Sequence, residues 1–288
     1  MAKLLKILAY TIGSLIEWIL ILVVLLAFAL RVPSVQTYFA AQATTYLSSE
    51  LGAEVKINKV HFIFFDKVAL DGVLLRDQQG DTLIYSDRIL LTIDKYNFGK
   101  KEYTIGASEI KNAFVHIQRS KDNVFNHSFL TEFFARDKKK KNTITFKFYE
   151  TFFSDCRFKF DDHRKPHRAS GIDYFHLNAA KINGSIQGIK IEKNVITGHV
   201  NHLNLKEQCG FELKEFQSNV QVSPSGILLS DLELWSNESY VRSSKLNMLS
   251  DRYTCFKSFV DSVTFDAKID ESSLSLKEIA FFALPLEG

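Results

Sequence analysis

Residues 55–75, VKINKVHFIFFDKVALDGVLL, decide the fold of this chain because their apolar side chains recur at every second position. Val60, Phe62 and Phe64 follow the two-residue period of a half-buried β-strand rather than the 3.6-residue period of a helix. A slip of this period at Asn58-Lys59 predicts a β-bulge. The stretch therefore predicts two neighbouring strands that share one apolar face.

The same alternation continues towards the end of the chain and predicts about fifteen short strands. Gln78-Gln79-Gly80-Asp81 and Ser223-Pro224-Ser225-Gly226 are typical of turns between strands. Short helices are predicted within residues 129–134 and 273–283, but no long helix follows residue 52. Because parallel strands need a long crossover connection, we expect a mainly β protein with a long antiparallel sheet over residues 53–288.

The apolar face of the predicted sheet can be shielded in two ways, and the sequence leaves both open. The sheet can close on itself as a sandwich or barrel, or it can curl into a taco-like trough with an apolar inner groove. Which face points inward is also open wherever a bulge intervenes. The side chains predicted to line the groove are Phe62, Phe64, Val68, Leu70, Ile89, Leu91, Ile93, Ile144, Phe146, Phe148, Ile189, Ile191, Val220, Val222, Leu232 and Leu234.

An amphipathic helix is predicted over residues 33–51, within a linker formed by residues 31–52. Pro33 suits the first turn of a helix, and Gly52 suits the position just past its end. The apolar face of this helix can lie on a membrane surface or cover the end of the β-domain. The shortage of Lys and Arg favours the second position.

Residues Ile7–Leu30, ILAYTIGSLIEWILILVVLLAFAL, carry one charge in 24 positions. A helix of that length crosses a bilayer core of about 30 Å, so the segment predicts an uncleaved transmembrane anchor. The rival interpretation is a signal peptide cleaved after Ala27-Phe28-Ala29, whose apolar run would be shorter. Lys3 and Lys6 place residues 1–6 in the cytoplasm and the bulk of the chain across the membrane.

Glu17 and Trp18 are the two residues of the predicted anchor that merit a membrane-specific interpretation. Glu17 shares a helical stripe with Tyr10 and Ser14. An acid inside a membrane is a functional candidate, with a partner helix to satisfy it. The alternative is a protonated or snorkelling carboxylate without a role, and the sequence leaves both open.

Composition and motifs argue against an enzyme. The net charge of +3 is too small to indicate a nucleic-acid-binding protein. The sequence has no nucleophile elbow, P-loop, glycine-rich dinucleotide turn or HExxH motif, so no cofactor or catalytic residue is predicted. Cys156, Cys209 and Cys255 fit neither a zinc pattern nor a disulfide framework. The run Lys138–Lys141 is typical of a solvated loop.

The histidines and paired acids also predict no metal site. His199 and His202 are three positions apart, which on a strand directs them to opposite faces. His163 and His167 flank Pro166 in a basic loop, where solvent exposure is the ordinary outcome. The pair Asp161-Asp162 is interpreted as turn acids rather than as an acid–base pair.

Four segments, taken in order, resemble the TamB-like members of the AsmA superfamily in Bacteroidetes-type bacteria. The first is RVPSVQTYFAAQATTYLSSELGAEVKINKVHFIFFDKVALDGVLLRDQQGDTLIYSD at 31–87. The others are GIDYFHLNAAKINGSIQG at 171–188, LNLKEQCGFELKEFQSNVQVSPSGILLSDLEL at 203–234 and VTFDAKIDESSLSLKEIAFF at 263–282. These are soft hydrophobic patterns, so the resemblance depends on their length and order.

The resemblance implies a curled β-sheet that is anchored in the inner membrane and extends into the periplasm. It implies passive movement of membrane phospholipids between inner and outer membranes along an apolar groove. An alternative role is a scaffold for outer-membrane protein assembly with an Omp85-type partner. The chain is shorter than typical members and lacks their C-terminal domain, so we expect residues 53–288 to be incomplete at the C-terminus.

Overall fold

A computed structural model describes residues 2–29, 32–64, 66–97, 102–137, 145–192, 195–249 and 264–282. Most of the chain in these ranges lies in strands. The helices are α1 (Ala2–Ala29), α2 (Pro33–Leu51), α3 (Ser128–Asp137) and α4 (Leu276–Phe282). The strands are β1 (Val55–Phe64), β2 (Lys67–Arg76), β3 (Thr82–Asn97), β4 (Glu102–Lys111), β5 (Phe114–Arg119), β6 (Thr145–Asp162), β7 (His176–Glu192), β8 (Val195–Glu207), β9 (Glu212–Ser223), β10 (Gly226–Ser236), β11 (Tyr240–Leu249) and β12 (Thr264–Ile269).

The two N-terminal helices follow the sequence patterns closely. α2 begins at Pro33 and ends before Gly52, whose φ of 62° lets its N–H donate to the carbonyl of Ser48. The side chains of α1 that are described are largely exposed; Trp18, for example, is 68% exposed. Among the residues that the structure describes, no helix combines the length and the apolarity that crossing a membrane requires.

All twelve described strands belong to one sheet, so the prediction of a mainly β protein is confirmed. Its order is β1-β2-β3-β4-β6-β7-β8-β9-β10-β11-β12, with β5 pairing with β3 and β6. Neighbouring strands are antiparallel except at β6, which pairs in parallel with β4 and β5. Because the path runs from β1 to β12 without returning, the described strands form an open sheet.

One prediction about connectivity is wrong. β4 and β5 both pair with β6 in parallel, whereas the sequence predicted only antiparallel neighbours. The chain between β5 and β6 contains α3, which begins at Ser128 within the apolar stretch where a short helix was predicted. The helix is longer than expected, and it supplies the crossover that a parallel pair needs. The described residues form twelve strands where about fifteen were predicted for the chain, because several predicted pairs are single long strands.

A row of backbone kinks crosses the sheet nearly perpendicular to the strands. At each kink a residue has a positive φ, which Gly, Asn and Asp tolerate better than most residues. The kinked residues are Gly72 in β2, Asn112 between β4 and β5, Asp155 in β6, Lys181 in β7, His202 in β8 and Asp231 in β10, with φ between 48° and 64°.

Side chains link neighbouring kinks across the sheet. Asn112 donates from Nδ2 to Asp87, which lies opposite Gly72, at 2.7 Å. The N–H of Asp155 donates to Asn183 Oδ1 at 2.9 Å, and Asn183 Nδ2 in turn donates to the carbonyl of Lys181 at 2.8 Å. These side chains satisfy backbone groups that the interrupted ladders release.

Each kink moves the apolar positions of the strand by one residue. Apolar residues three positions apart, one on each side of the kink, can therefore project from the same face. Leu229 and Leu232 are three positions apart, yet both are buried, at 9% and 2% exposed. The β-bulge predicted at Asn58-Lys59 is wrong: β1 and β2 keep their register there, and their register shifts between Phe62 and Phe64 instead. Asn58 lies against Gly72, between the regular pairs Ile57–Val73 and Lys59–Asp71.

The kinks divide the sheet into two halves that differ in packing. One half contains two clusters of buried apolar side chains, and we call it the core half. Its first cluster is formed by Ala53, Leu83 and Phe129, with Leu51 and Leu130 from α2 and α3 packed against it. The second is formed by Ile172, Phe211 and Leu213, with partners that include Leu234 and Phe281. The other half, which we call the distal half, contains Phe62, Leu91, Phe148 and Val222.

Candidate functional site

The apolar side chains of the distal half are aligned across strands. Directly paired residues of neighbouring strands project from the same face of a sheet, so their pairing defines continuous rows. Three rows of paired residues result. They are Val60–Leu70–Ile89–Ile110–Phe153, Ile93–Ile105–Phe148–Ile189 and Ile196–Val222–Ile227–Met248–Phe265.

The predicted groove residues of the distal half belong to this face. Phe62 pairs with Val68, and Val68 pairs with Leu91, which adds a short row at the β1 end. Their side chains are half-buried, as are those of Phe148 and Val222. None of these five residues belongs to either apolar cluster of the described residues. The alternation in sequence therefore predicted residues that the strand pairing aligns with one another, and their role in lining a groove stays a prediction.

Two predicted groove residues lie elsewhere. Leu232 and Leu234 follow the kink at Asp231 and therefore lie in the core half, where Leu234 packs against the second apolar cluster. The sequence could not separate them from the others because the apolar alternation continues through the kink.

Some predicted groove residues cannot be located. Ile144 lies outside the described residues, as do the side chains of Phe64, Phe146 and Ile191. The run Lys138–Lys141, predicted to be a solvated loop, also lies outside the described residues.

A cavity of about 720 Å³ borders the distal half, and it is lined by polar residues such as Glu150, His199 and Asn219 as well as by Val220 and Leu228. Glu150 accepts hydrogen bonds there from Ser185 Oγ at 3.1 Å and from Gln187 Nε2 at 2.9 Å. His199 contacts Asn219 at 2.8 Å on the neighbouring strands. The polar groups of this cavity therefore bind one another across neighbouring strands.

A buried polar cluster occupies the ends of β5, β6 and β7, in the core half. Asp161 and Asp162 are 8% and 1% exposed, although the sequence placed them in a solvated turn. His176 Nδ1 lies 3.4 Å from Asp161 Oδ1, and His116 Nε2 lies 2.7 Å from Asp161 Oδ2. Arg119, 5% exposed, lies opposite Asp162 in the parallel pair.

Both carboxylates are held in the ionised form. Burial alone would raise the pKa of Asp161, but hydrogen bonds from Lys159 and His116 lower it to about 2. The pKa of Asp162 is also lowered to about 2, chiefly because Arg164 donates to its carboxylate at 2.6 and 2.8 Å. Paired in this way, the two carboxylates fix the β6–β7 loop rather than act as an acid–base pair.

The sequence reasoning missed this cluster because its partners are distant in sequence. Arg119 and Asp162 are 43 positions apart and meet only because β5 and β6 are parallel. A local signal did exist: Phe158 and Phe160 continue the strand alternation up to Asp161. That alternation favours a strand end over a turn at Asp161, and the antiparallel pairing of Asp161 with His176 agrees with it.

No protein-family model matches this chain, and no curated protein matches its sequence. The function must therefore be inferred from the chain itself.

Proposed function

We propose that this protein is a membrane-anchored β-sheet protein that carries phospholipid along the apolar face of its distal half, between the inner and outer membranes. The observation that carries the proposal is the alignment of apolar side chains in rows that run from strand to strand. Eleven strand positions at about 4.8 Å give a path of roughly 50 Å. Acyl chains bind to surfaces of this kind without specific polar partners.

The free energy of lipid transfer explains why such a face would be useful. Each CH₂ group of an acyl chain that enters water costs about 0.8 kcal/mol. A phospholipid with two long chains therefore meets a large barrier when it leaves a bilayer. A continuous apolar row that begins near the membrane lowers this barrier, because the acyl chains exchange lipid for Ile, Val and Phe side chains.

The anchor in this proposal rests on the sequence of Ile7–Leu30, which has one charge in 24 positions. An N-terminus in the cytoplasm would place the sheet in the periplasm, on the side where a path to the outer membrane begins. α2 packs against β1, the strand that also carries the row residues Val60 and Phe62. The curled, groove-like shape of the sheet belongs to the proposal as well.

A scaffold for outer-membrane protein assembly with an Omp85-type partner is the second candidate. The observation in its favour is the edge strand β12, whose six residues are all exposed. Such an edge can accept a further strand from another protein. The scaffold needs no lipid on the apolar face, so lipid content separates the two candidates.

The test is phospholipid that co-purifies with the full chain in a mild detergent, measured by lipid extraction and mass spectrometry. We expect bound phospholipid in the wild-type protein and a several-fold decrease in Ile227→Glu, which places a charge in an apolar row. Leu228→Glu is the matched control, because Leu228 is the next residue on the strand and projects from the opposite face.

Both variants should retain the strand signal in circular dichroism. A wild-type protein free of phospholipid would contradict the conduit and leave the scaffold as the better proposal. Equal lipid loss in the two variants would also contradict it.

A further inference from the structure

We propose that His167, Asp173 and His176 form a binding site for a divalent transition-metal ion such as Zn²⁺. His167 and Asp173 lie in the loop between β6 and β7, and His176 is the first residue of β7. One ligand atom of each side chain lies within 4.8 Å of the others. This site is separate from the apolar face, so the proposal is independent of the proposed function.

The three potential ligand atoms lie near one another but farther apart than in a formed zinc site. His167 Nδ1 lies 3.9 Å from Asp173 Oδ2, and the rings of His167 and His176 stack with their centroids 3.8 Å apart. Ligand atoms around tetrahedral Zn²⁺ lie roughly 3.4 Å apart when each bond is about 2.1 Å. The side chain of His167 is 74% exposed and can rotate to close the remaining gap.

The two buried ligands are already oriented by second partners. The carbonyl of Lys165 can only accept a hydrogen bond, so His176 Nε2, at 2.9 Å, carries a proton and Nδ1 is the nitrogen that can face a metal ion. Asp161 Oδ1 lies 3.4 Å from that nitrogen and would favour a cation there. Asp173 accepts the N–H groups of Arg168 and Phe175 at 2.8 and 3.0 Å. Metal-binding His and Asp side chains are usually held by such outer partners.

The positive charges of the loop have partners elsewhere. Arg164 binds Asp162, and Lys165 Nζ lies over the ring of Phe175 at 5.3 Å from its centroid. Arg168 donates from Nη1 to the carbonyl of Ile172 at 2.8 Å. In these contacts the three cationic side chains bind groups other than His167, Asp173 and His176.

The donor set selects the class of metal. Two imidazole nitrogens and one carboxylate oxygen suit Zn²⁺, Ni²⁺ or Cu²⁺, whereas Mg²⁺ and Ca²⁺ prefer oxygen ligands. A bound ion would join the exposed His167 to the buried His176 and so fix the β6–β7 loop to the sheet. Because the third ligand is at the surface, water can complete the coordination.

The test is Zn²⁺ binding to the full chain in detergent, purified with a tag that contains no histidine and measured by isothermal titration calorimetry. We expect micromolar or tighter binding, and a decrease of at least about tenfold in His167→Ala. His163→Ala is the matched control, because His163 is an exposed histidine of the same loop that contacts Gln118 rather than the site. The control variant should bind Zn²⁺ like the wild type.

Substitution with Co²⁺ provides a second readout that does not depend on stability. Coordination by nitrogen and oxygen ligands should give visible absorption in the wild type and in His163→Ala, but not in His167→Ala. Absence of Zn²⁺ binding below about 100 µM in the wild type, where a specific site should be saturated, would overturn the proposal. Equal losses in the two histidine variants would overturn it as well.

Discussion

At the scale of single residues, the main departure from expectation is the pair Asp161-Asp162. Two adjacent acids after a strand usually lie in a solvated turn, but here both are buried beside Arg and His side chains. The partners come from β5, which precedes a crossover connection. Pairing over such a distance leaves no mark in the local sequence, so the alternation of Phe158 and Phe160 could place Asp161 at a strand end but could not identify its partners.

Replacing Asp162 should strongly destabilise the protein. Asp162→Asn removes the charge that Arg119 faces at 3.4 Å, in a site where the Arg119 side chain is only 6% exposed. A buried charge that loses its partner costs about 3 kcal/mol. The free energy of unfolding, from urea denaturation in detergent followed by circular dichroism, should fall by that amount.

Glu54→Gln is the control for this substitution. Glu54 pairs with Lys56 and with Arg76, but at 40% exposed it lies in solvent, where an ion pair contributes little to stability. Equal effects of the two substitutions would argue that Asp162 is not in a buried pair.

The same two acids predict a loss of stability in acid. The pKa values of Asp161 and Asp162 are lowered from 3.8 to about 2, so between these values the folded chain holds fewer protons than the unfolded chain. Their contribution to the free energy of unfolding is complete above the pKa that these groups have in the unfolded chain. It is lost as pH falls from about 4 to below 2. Each group should account for roughly 2 kcal/mol of this loss.

Denaturation midpoints measured between pH 6 and pH 2 test this expectation. Asp162→Asn should be less stable at pH 6 and should show a flatter dependence on pH than the wild type. Asp122→Asn, at an exposed position in the turn after β5, should keep the wild-type dependence. An unchanged slope in Asp162→Asn would mean that this carboxylate does not contribute to acid sensitivity.

At the scale of elements, local patterns predicted the helix and strand types but not all of their pairings. The period of two identified the strands, and Pro33 with Gly52 fixed the bounds of α2. The parallel pairing of β6 was missed because it depends on α3 and on contacts between distant segments. The kinks were not predicted: the slip in the alternation at Asn58-Lys59 was interpreted as a bulge, whereas the residue with positive φ at that level is Gly72 in β2.

At a kink, glycine within a strand should increase the stability of the protein rather than lower it. Lys181 in β7 has φ 52°, a conformation that costs an L-residue about 1 to 2 kcal/mol. Lys181→Gly should therefore raise the free energy of unfolding by about 0.5 to 1 kcal/mol, after the entropic cost of glycine is subtracted. Thermal or urea denaturation in detergent measures this difference.

Lys190→Gly in the same strand is the matched control. Lys190 is not among the residues with positive φ, so glycine there should lower stability by about 0.5 to 1 kcal/mol. If both glycine variants were destabilised alike, the kink at Lys181 would not be a strained position.

At the scale of the whole molecule, the kinks separate a half with two apolar clusters from a half whose apolar rows belong to neither. Sequence alternation predicted many members of these rows, including Phe148 and Val222. It did not predict where the rows end, because Leu232 and Leu234 carry the same pattern into the core half. The proposed lipid path depends on the distal rows being accessible to acyl chains.

Site-specific photocrosslinking in cells tests that claim most directly. Val222 and Gln221 are neighbours in β9 that pair with Ile227 and Leu228, and so project from opposite faces of the distal half. A benzophenone amino acid at each position, followed by purification and mass spectrometry, reports what each face contacts. The account predicts phospholipid adducts at Val222 and several-fold fewer at Gln221. Equal adducts at both positions, or none at Val222, would contradict it.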